Sequence, residues 1–172
     1  MIIKDELLYA VDGLNNPIKP EPRKRAHTNG TWHRTSQIWI VNDKQQILCQ
    51  RRSLLKDTNP GKWEAIFGGH LTPKQEYIDC AIIELREELG IEATREDLHF
   101  LFINKSEKDK EFQGIFSISW NGNSSHLQLE KEEVEEVKWI SIENLLKLFK
   151  EKDDNWSSFS YETKLLKKWK NQ

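Results

Sequence analysis

The sequence predicts a mixed α/β protein, of the α/β (α+β) class, in which strands dominate the middle of the chain around one central helix. Three observations predict this. β-prone apolar runs recur between turn signals from Thr35 to Ile140. Glu76 to Leu89 instead carries Ile78, Ile82, Leu85 and Leu89 at helical spacing, with Gly90 as a stop. At 172 residues the chain suits one domain, 1–172, and can bury a real core.

The elements follow in order. Residues 1–34 read as an N-terminal extension. Within it Asp12 to Gly30 holds three of the five prolines (Pro17, Pro20 and Pro22) with Arg23, Lys24 and Arg25, and reads as an extended loop. Thr35 to Val41 and Gln46 to Gln50 read as a hairpin around Asn42-Asp43-Lys44. Asn59-Pro60-Gly61 marks a turn before a short apolar stretch from Trp63 to Phe67. Leu98 to Asn104, Phe112 to Trp120 and Val134 to Ile140 read as strands. Ile142 to Lys150 and Tyr161 to Lys170 read as helices, making 142–172 a C-terminal helical segment.

Composition narrows the function. The chain is 37% hydrophobic and 31% charged with a net charge of -2, so its overall field favours no nucleic acid and no membrane surface. No apolar run approaches the roughly 20 residues of a membrane span. Met1 to Glu6 opens without the long apolar stretch of a signal peptide. The two cysteines, Cys49 and Cys80, lack metal-knuckle or redox spacing, and a reducing cytoplasmic setting is the expectation.

The strongest chemical signal lies in Glu84-Leu85-Arg86-Glu87-Glu88-Leu89-Gly90-Ile91. At 100° per residue Glu84, Glu87 and Glu88 share one face, away from the apolar stripe. Gathering like charges on one turn destabilises a helix unless a cation joins them, and hard divalent ions such as Mg2+ or Mn2+ prefer oxygen ligands. Taken alone, such a string is a solvated acidic face. Its context differs.

From Gly69 to Ile91 the chain resembles the Nudix signature, G-x5-E-x7-R-E-U-x-E-E-x-G-U with U aliphatic. The matching residues are Gly69, Glu84, Leu85, Glu87, Glu88, Gly90 and Ile91, while Gln75 replaces the glutamate and Ile83 the arginine. Those two positions typically form a bracing pair, so the departures remove both partners together. Thr72-Pro73-Lys74-Gln75 offers a different brace, as a capping box with proline at the first helical position. The resemblance implies a Nudix-like α/β/α sandwich around a mixed sheet, with Glu87, Glu88 and the Gly68 carbonyl as metal ligands. Glu84 becomes a further ligand or the group that orients or deprotonates water. The implied activity is metal-dependent hydrolysis of a diphosphate linkage in a small-molecule substrate such as a nucleoside diphosphate derivative. A homodimer stays open.

Arg23 to Leu71 is similar to the part of the family related to type I isopentenyl diphosphate isomerase, through Arg23 to His27, Trp32-His33-Arg34, Arg51 to Lys56, Pro60 to Trp63 and Gly69-His70. This resemblance implies a second metal site at His27, His33 and His70, with Asp109 and Glu111 as carboxylate matches. It also matches Arg52 and Lys56, and more weakly Arg23, to diphosphate-contacting residues. The isomerase cysteine falls at Gly68, and neither Cys49 nor Cys80 replaces it by spacing. Two alternatives to the hydrolase follow: an isomerase-like enzyme, and a non-catalytic Nudix-like nucleotide-binding module. Trp32 and Trp63 are candidates to stack on a base or line a prenyl pocket, and one of Glu132, Glu133, Glu135 and Glu136 to complete a metal site.

Overall fold

In the computed structural model, residues 6–157 and 161–170 are described; Met1 to Asp5 of the leader reading fall outside them. The chain opens with a two-stranded ribbon, β1 (Leu7–Leu8) with β2 (Glu21–Pro22). Next comes α1, Arg23–Asn29. This helix corrects the extended-loop expectation for that stretch. Its sequence hides it, because Ala26 is its one buried residue and no apolar stripe marks a helical period.

The main sheet runs through β3 (His33–Val41), β4 (Gln46–Arg52), β5 (Trp63–Glu64), β6 (Leu98–Ser106), β7 (Glu111–Ser119) and β8 (Val134–Ser141). Its order is β5-β4-β3-β7-β6, with β8 antiparallel to β4, and β3 runs parallel to β7 along its whole length. The sheet is therefore mixed. Alternation assigns its two faces. Ile38 and Ile40 of β3, with Phe116 and Ile118 of β7, pack against α2 (Tyr77–Leu89) through Ala81, Leu85 and Leu89. Trp39, Ile47, Cys49 and Ile115 point the other way, onto α3 (Ile142–Glu151) and α4 (Glu162–Lys170) through Leu145, Leu165 and Leu166. This is the expected α/β/α sandwich, and Trp39 is core as its strand pattern predicts.

Two local features place the site. β3 and β4 pair at Val41↔Ile47, beside their turn, and then diverge. The segment 65–70 lies in the gap, bridging to β3 at Ile38↔Phe67 and Thr35↔His70, while Gln50 Nε2 donates to Ile66 O at 2.6 Å. Helix α2 ends as expected: Gly90 at φ 68° donates to Arg86 O, and Ile91 N–H reaches Leu85 O at 3.0 Å. Its start differs from the capping-box expectation. Gln75 Oε1 does accept from Thr72 N and Oγ1, at 2.9 and 3.1 Å, but within a turn whose Lys74 has φ 70°. The helix begins at Tyr77, after that turn.

Candidate active site and metal centres

The gap between β3 and β4 opens into a cavity of about 870 Å³. Residues of α1, β3, β4, α2 and β7 line it, together with the loops that follow β4 and precede β8. Among the described residues it gathers nine Asp or Glu side chains against four Arg or Lys. Such a surface repels a free diphosphate and attracts cations.

Glu84, Glu87 and Glu88 all reach this cavity from α2. Glu87 is exposed, whereas Glu88 retains 6% of its surface and accepts a hydrogen bond from Gly68 N–H at 3.3 Å. Burial, then the neighbouring carboxylates, raises the Glu84 carboxyl to about 7 and moves Glu88 well above the usual range. The glycine pair allows this closeness. A Cβ on Gly69 would stand 2.0 Å from Glu84 Oε1, and one on Gly68 1.9 Å from Ser36 O, at a φ of 140°. One buried and one half-buried carboxylate beside a backbone free of side chains suit a hard divalent cation in charge, donor type and space.

A second cluster lies on the same cavity. One ligand atom each from His27 on α1, His33 at the start of β3 and His70 falls within 4.8 Å of the others. His27 Nε2 and His70 Nε2 are 3.2 Å apart, and His33 Nε2 is 3.6 Å from Glu111 Oε1. His33 is 1% exposed, and its Nδ1 lies 2.8 Å from Thr31 O. A carbonyl only accepts, so Nδ1 carries a hydrogen, and the buried Nε2 is left facing the cluster with no hydrogen-bond partner among the described residues. Burial holds His27 below its usual pKa and takes His70 down to about 3, so both rings are neutral at pH 7. Neutral imidazoles with converging nitrogens are metal-ligand chemistry. Asp109 lines the cavity too, but it is exposed and accepts from Ser106 Oγ at 2.6 Å.

The three matched cations border the cavity, each already paired. Arg23 meets Asp57 at 3.0 Å, and Lys56 meets Glu133. Arg52 Nη1 donates to the buried Glu64 at 3.1 Å, while its Nε and Nη2 donate to Thr58 O and Oγ1 at 3.0 and 3.2 Å. Glu64 and Glu130 are cavity residues that sequence reasoning passed over. A lone carboxylate inside the apolar run from Trp63 to Phe67 was the available signal for Glu64; Glu130 offered none. Of the four late glutamates, Glu133 reaches the cavity, while Glu135 and Glu136 pair with Arg51 at 3.7 and 3.3 Å.

The tryptophan expectation is corrected: neither Trp32 nor Trp63 lines the cavity. Trp32 packs on Phe112 with Lys105 and Lys110 over its ring, and Trp63 stacks on Trp156 beneath Lys138 Nζ, 3.6 Å from its centroid. Trp120 and Trp139 stack on each other. Both cysteines are buried free thiols. Cys80 Sγ lies 3.6 Å from the Gly69 and His70 carbonyls, nearer the glycine segment than spacing suggested. It does not line the cavity, and burial pushes its thiol up, away from reactivity.

Comparison with known proteins shows the family and the fold. The family model described as NUDIX domain matches residues 31–160. An uncharacterized Nudix hydrolase of Clostridium acetobutylicum is 31% identical over 161 residues, covering 88% of this chain and 78% of that protein. An isopentenyl-diphosphate Delta-isomerase of Paenarthrobacter aurescens is 33% identical over 101 residues, covering 56% of this chain and 55% of its own. Among solved structures, the DR0079 protein of Deinococcus radiodurans superposes with a TM-score of 0.75 at 17% identity, covering 95% of this chain and 98% of that one. The MutT protein of Methanosarcina mazei reaches a TM-score of 0.61 at 22% identity, covering 80% and 92%. These last two bear on the fold. By its domain match and its relatives, the chain is a Nudix hydrolase and belongs to the Nudix family.

Proposed function

We propose that this Nudix hydrolase cleaves a diphosphate linkage in a small organic diphosphate, using Mg2+ or Mn2+ held by Glu84, Glu87, Glu88 and the Gly68 carbonyl. The observation that carries the reading is the buried Glu88 beside the half-buried Glu84 in a cavity of excess negative charge. Without a cation, that arrangement only costs stability. A divalent ion bound there neutralises phosphate oxygens and makes phosphorus more electrophilic. Glu84, where its carboxylate is not taken up by the ion, would accept a proton from the attacking water. The water oxygen bonds to phosphorus, the bridging P–O bond breaks, and its electron pair leaves with the departing phosphate. Arg52, prealigned by Glu64 and Thr58, and Lys56 and Arg23 balance charge on the phosphates. His27, His33 and His70, with Glu111 and Asp109 nearby, form a second site suited to Mn2+, Fe2+ or Zn2+.

The isomerase reading draws on some relatives' names and on the histidines. Against it stand Gly68 at the cysteine position and the burial of Cys80 behind the segment. A panel of nucleoside, nucleotide-sugar and prenyl diphosphates with Mg2+ or Mn2+ tests the reading. The wild type is expected to release phosphate products from at least one compound, and Glu87→Gln/Glu88→Gln to lose at least a hundredfold in rate, about 3 kcal/mol of barrier. A folded wild type that turns over none of them, yet binds some, favours the binding-module alternative.

A further inference from the structure

Three short backbone segments meet around Lys56. The loop after β4 is tied to the turn before β8 by Ser53 N–H to Glu133 O, at 2.9 Å. That turn is tied to α2 by Glu130 N–H to Glu88 O, at 3.0 Å. Lys56 closes on its own loop through Lys56 N–H to Ser53 O, at 3.2 Å. The backbone positions of Lys56, Glu133 and Glu88 are thus set relative to one another, and their side chains share the cavity. Within this frame Lys56 Nζ sits directly on Glu133 Oε2. Glu133 acts on Glu84 and Glu88 as a repelling charge, and Lys56 acts on both as a relieving one.

Arg52 and Lys56 differ in a way that matters here. Arg52 is fixed at three nitrogens by Thr58 and a nearly fully buried Glu64. The Lys56 ammonium has Glu133 as its partner, on a flexible stem with 20% side-chain exposure against 39% for Glu133. A compact ammonium on four methylenes can change partners by rotamer alone, where a three-point guanidinium cannot.

We propose that Lys56 is a built-in counter-cation of the carboxylate site, which a divalent ion displaces from Glu133 so that the freed ammonium passes to the substrate's diphosphate. The inference rests on the metal-site reading above and adds to it a coupling between metal loading and phosphate recognition. Before metal binds, one ammonium partly neutralises Glu84, Glu88 and Glu133. Once the divalent ion takes that role, Glu133 turns to it and Lys56 loses its competitor for phosphate oxygens. The two binding steps then favour each other reciprocally. No backbone movement is needed.

Calorimetric titration with Mn2+, and separately with the non-hydrolysable methylenediphosphonate, tests the exchange without any turnover. Lys56→Met is expected to tighten Mn2+ binding about tenfold in the wild-type background but less than twofold beside Glu133→Gln, because the partner released is already gone. Lys56→Arg, which keeps the charge, is expected to stay within twofold of wild type. In the wild type, saturating Mn2+ is expected to strengthen diphosphonate binding at least tenfold. Glu133→Gln is expected to bind diphosphonate more tightly than wild type without metal, its lysine being free already. Equal, additive effects of Lys56→Met in both backgrounds would make Lys56 a background charge and overturn the exchange, while the metal site stood. A wild type that binds no Mn2+ overturns the metal-site reading, and the exchange with it. Thermal melts establish that each variant is folded.

Discussion

Glu88 keeps 6% of its surface, and its side chain accepts a hydrogen bond from Gly68 N–H at 3.3 Å. With Glu84 alongside, it makes the metal-free protein sensitive to pH in an unusual direction. Both carboxyls are raised by burial above their unfolded values, Glu84 to about 7. The native state therefore holds these protons longer than the unfolded chain. The Glu84 contribution to stability is full below the ordinary glutamate range of about 4.3 and is lost as pH rises through about 7, and the Glu88 contribution is lost in the same direction. For Glu84 the loss is on the order of 3 kcal/mol, so Tm of the metal-free protein is expected to fall by roughly 5–10 °C between pH 5 and pH 8. Mn2+ is expected to restore it at the upper end. A Tm that rises over that interval would contradict the account. Arg52→Ala is expected to raise KM for the diphosphate substrate about tenfold, since a charge-assisted contact is worth about 1.5–3 kcal/mol. It also strands the buried Glu64 carboxylate, so Tm is expected to fall as well. Unchanged saturation kinetics would remove Arg52 from the site.

At the scale of elements, the glycine pair and α2 act as one device. Gly69→Ala places a Cβ 2.0 Å from Glu84 Oε1, and the carboxylate, as the far end of a flexible side chain, is what gives way. Mn2+ affinity is expected to drop at least tenfold with little change in Tm. Gly68→Ala meets the Ser36 backbone instead, at 1.9 Å and a φ of 140°, and is expected to destabilise the fold by several degrees or more in Tm. An unchanged metal affinity in Gly69→Ala would separate the helix from the loop. These elements were legible because period and punctuation agree: apolar residues recur every three or four positions along α2, and Gly90 closes it. Helix α1 was not legible, since three prolines precede it and only Ala26 is buried. The Thr72–Gln75 pair was legible as a contact and misread as a helix start, because the same spacing also closes a turn.

For the whole molecule, the cavity depends on the divergence of β3 from β4, which no local pattern announces. The parallel pairing of β3 with β7 is likewise set by packing on both faces, and brings His33 beside Glu111 from distant positions in the chain. The three histidines were readable only through resemblance, since 27, 33 and 70 share no periodicity. Their convergence gives a whole-molecule expectation: elemental analysis after loading with Mn2+ should find two ions per chain, falling to one in His33→Ala. A stoichiometry of one in both proteins would leave the histidines a hydrogen-bonded cluster. On the function proposed above, the carboxylates of α2 form a cation site in the cavity. Mn2+ titration followed by electron paramagnetic resonance tests it most directly, on the wild type and on Glu87→Gln/Glu88→Gln. The expected result is a saturable site in the wild type that weakens at least a hundredfold in the variant, while a second site at the histidines persists. Equal Mn2+ binding by both proteins would leave Glu84, Glu87 and Glu88 as an acidic helix face with no metal site.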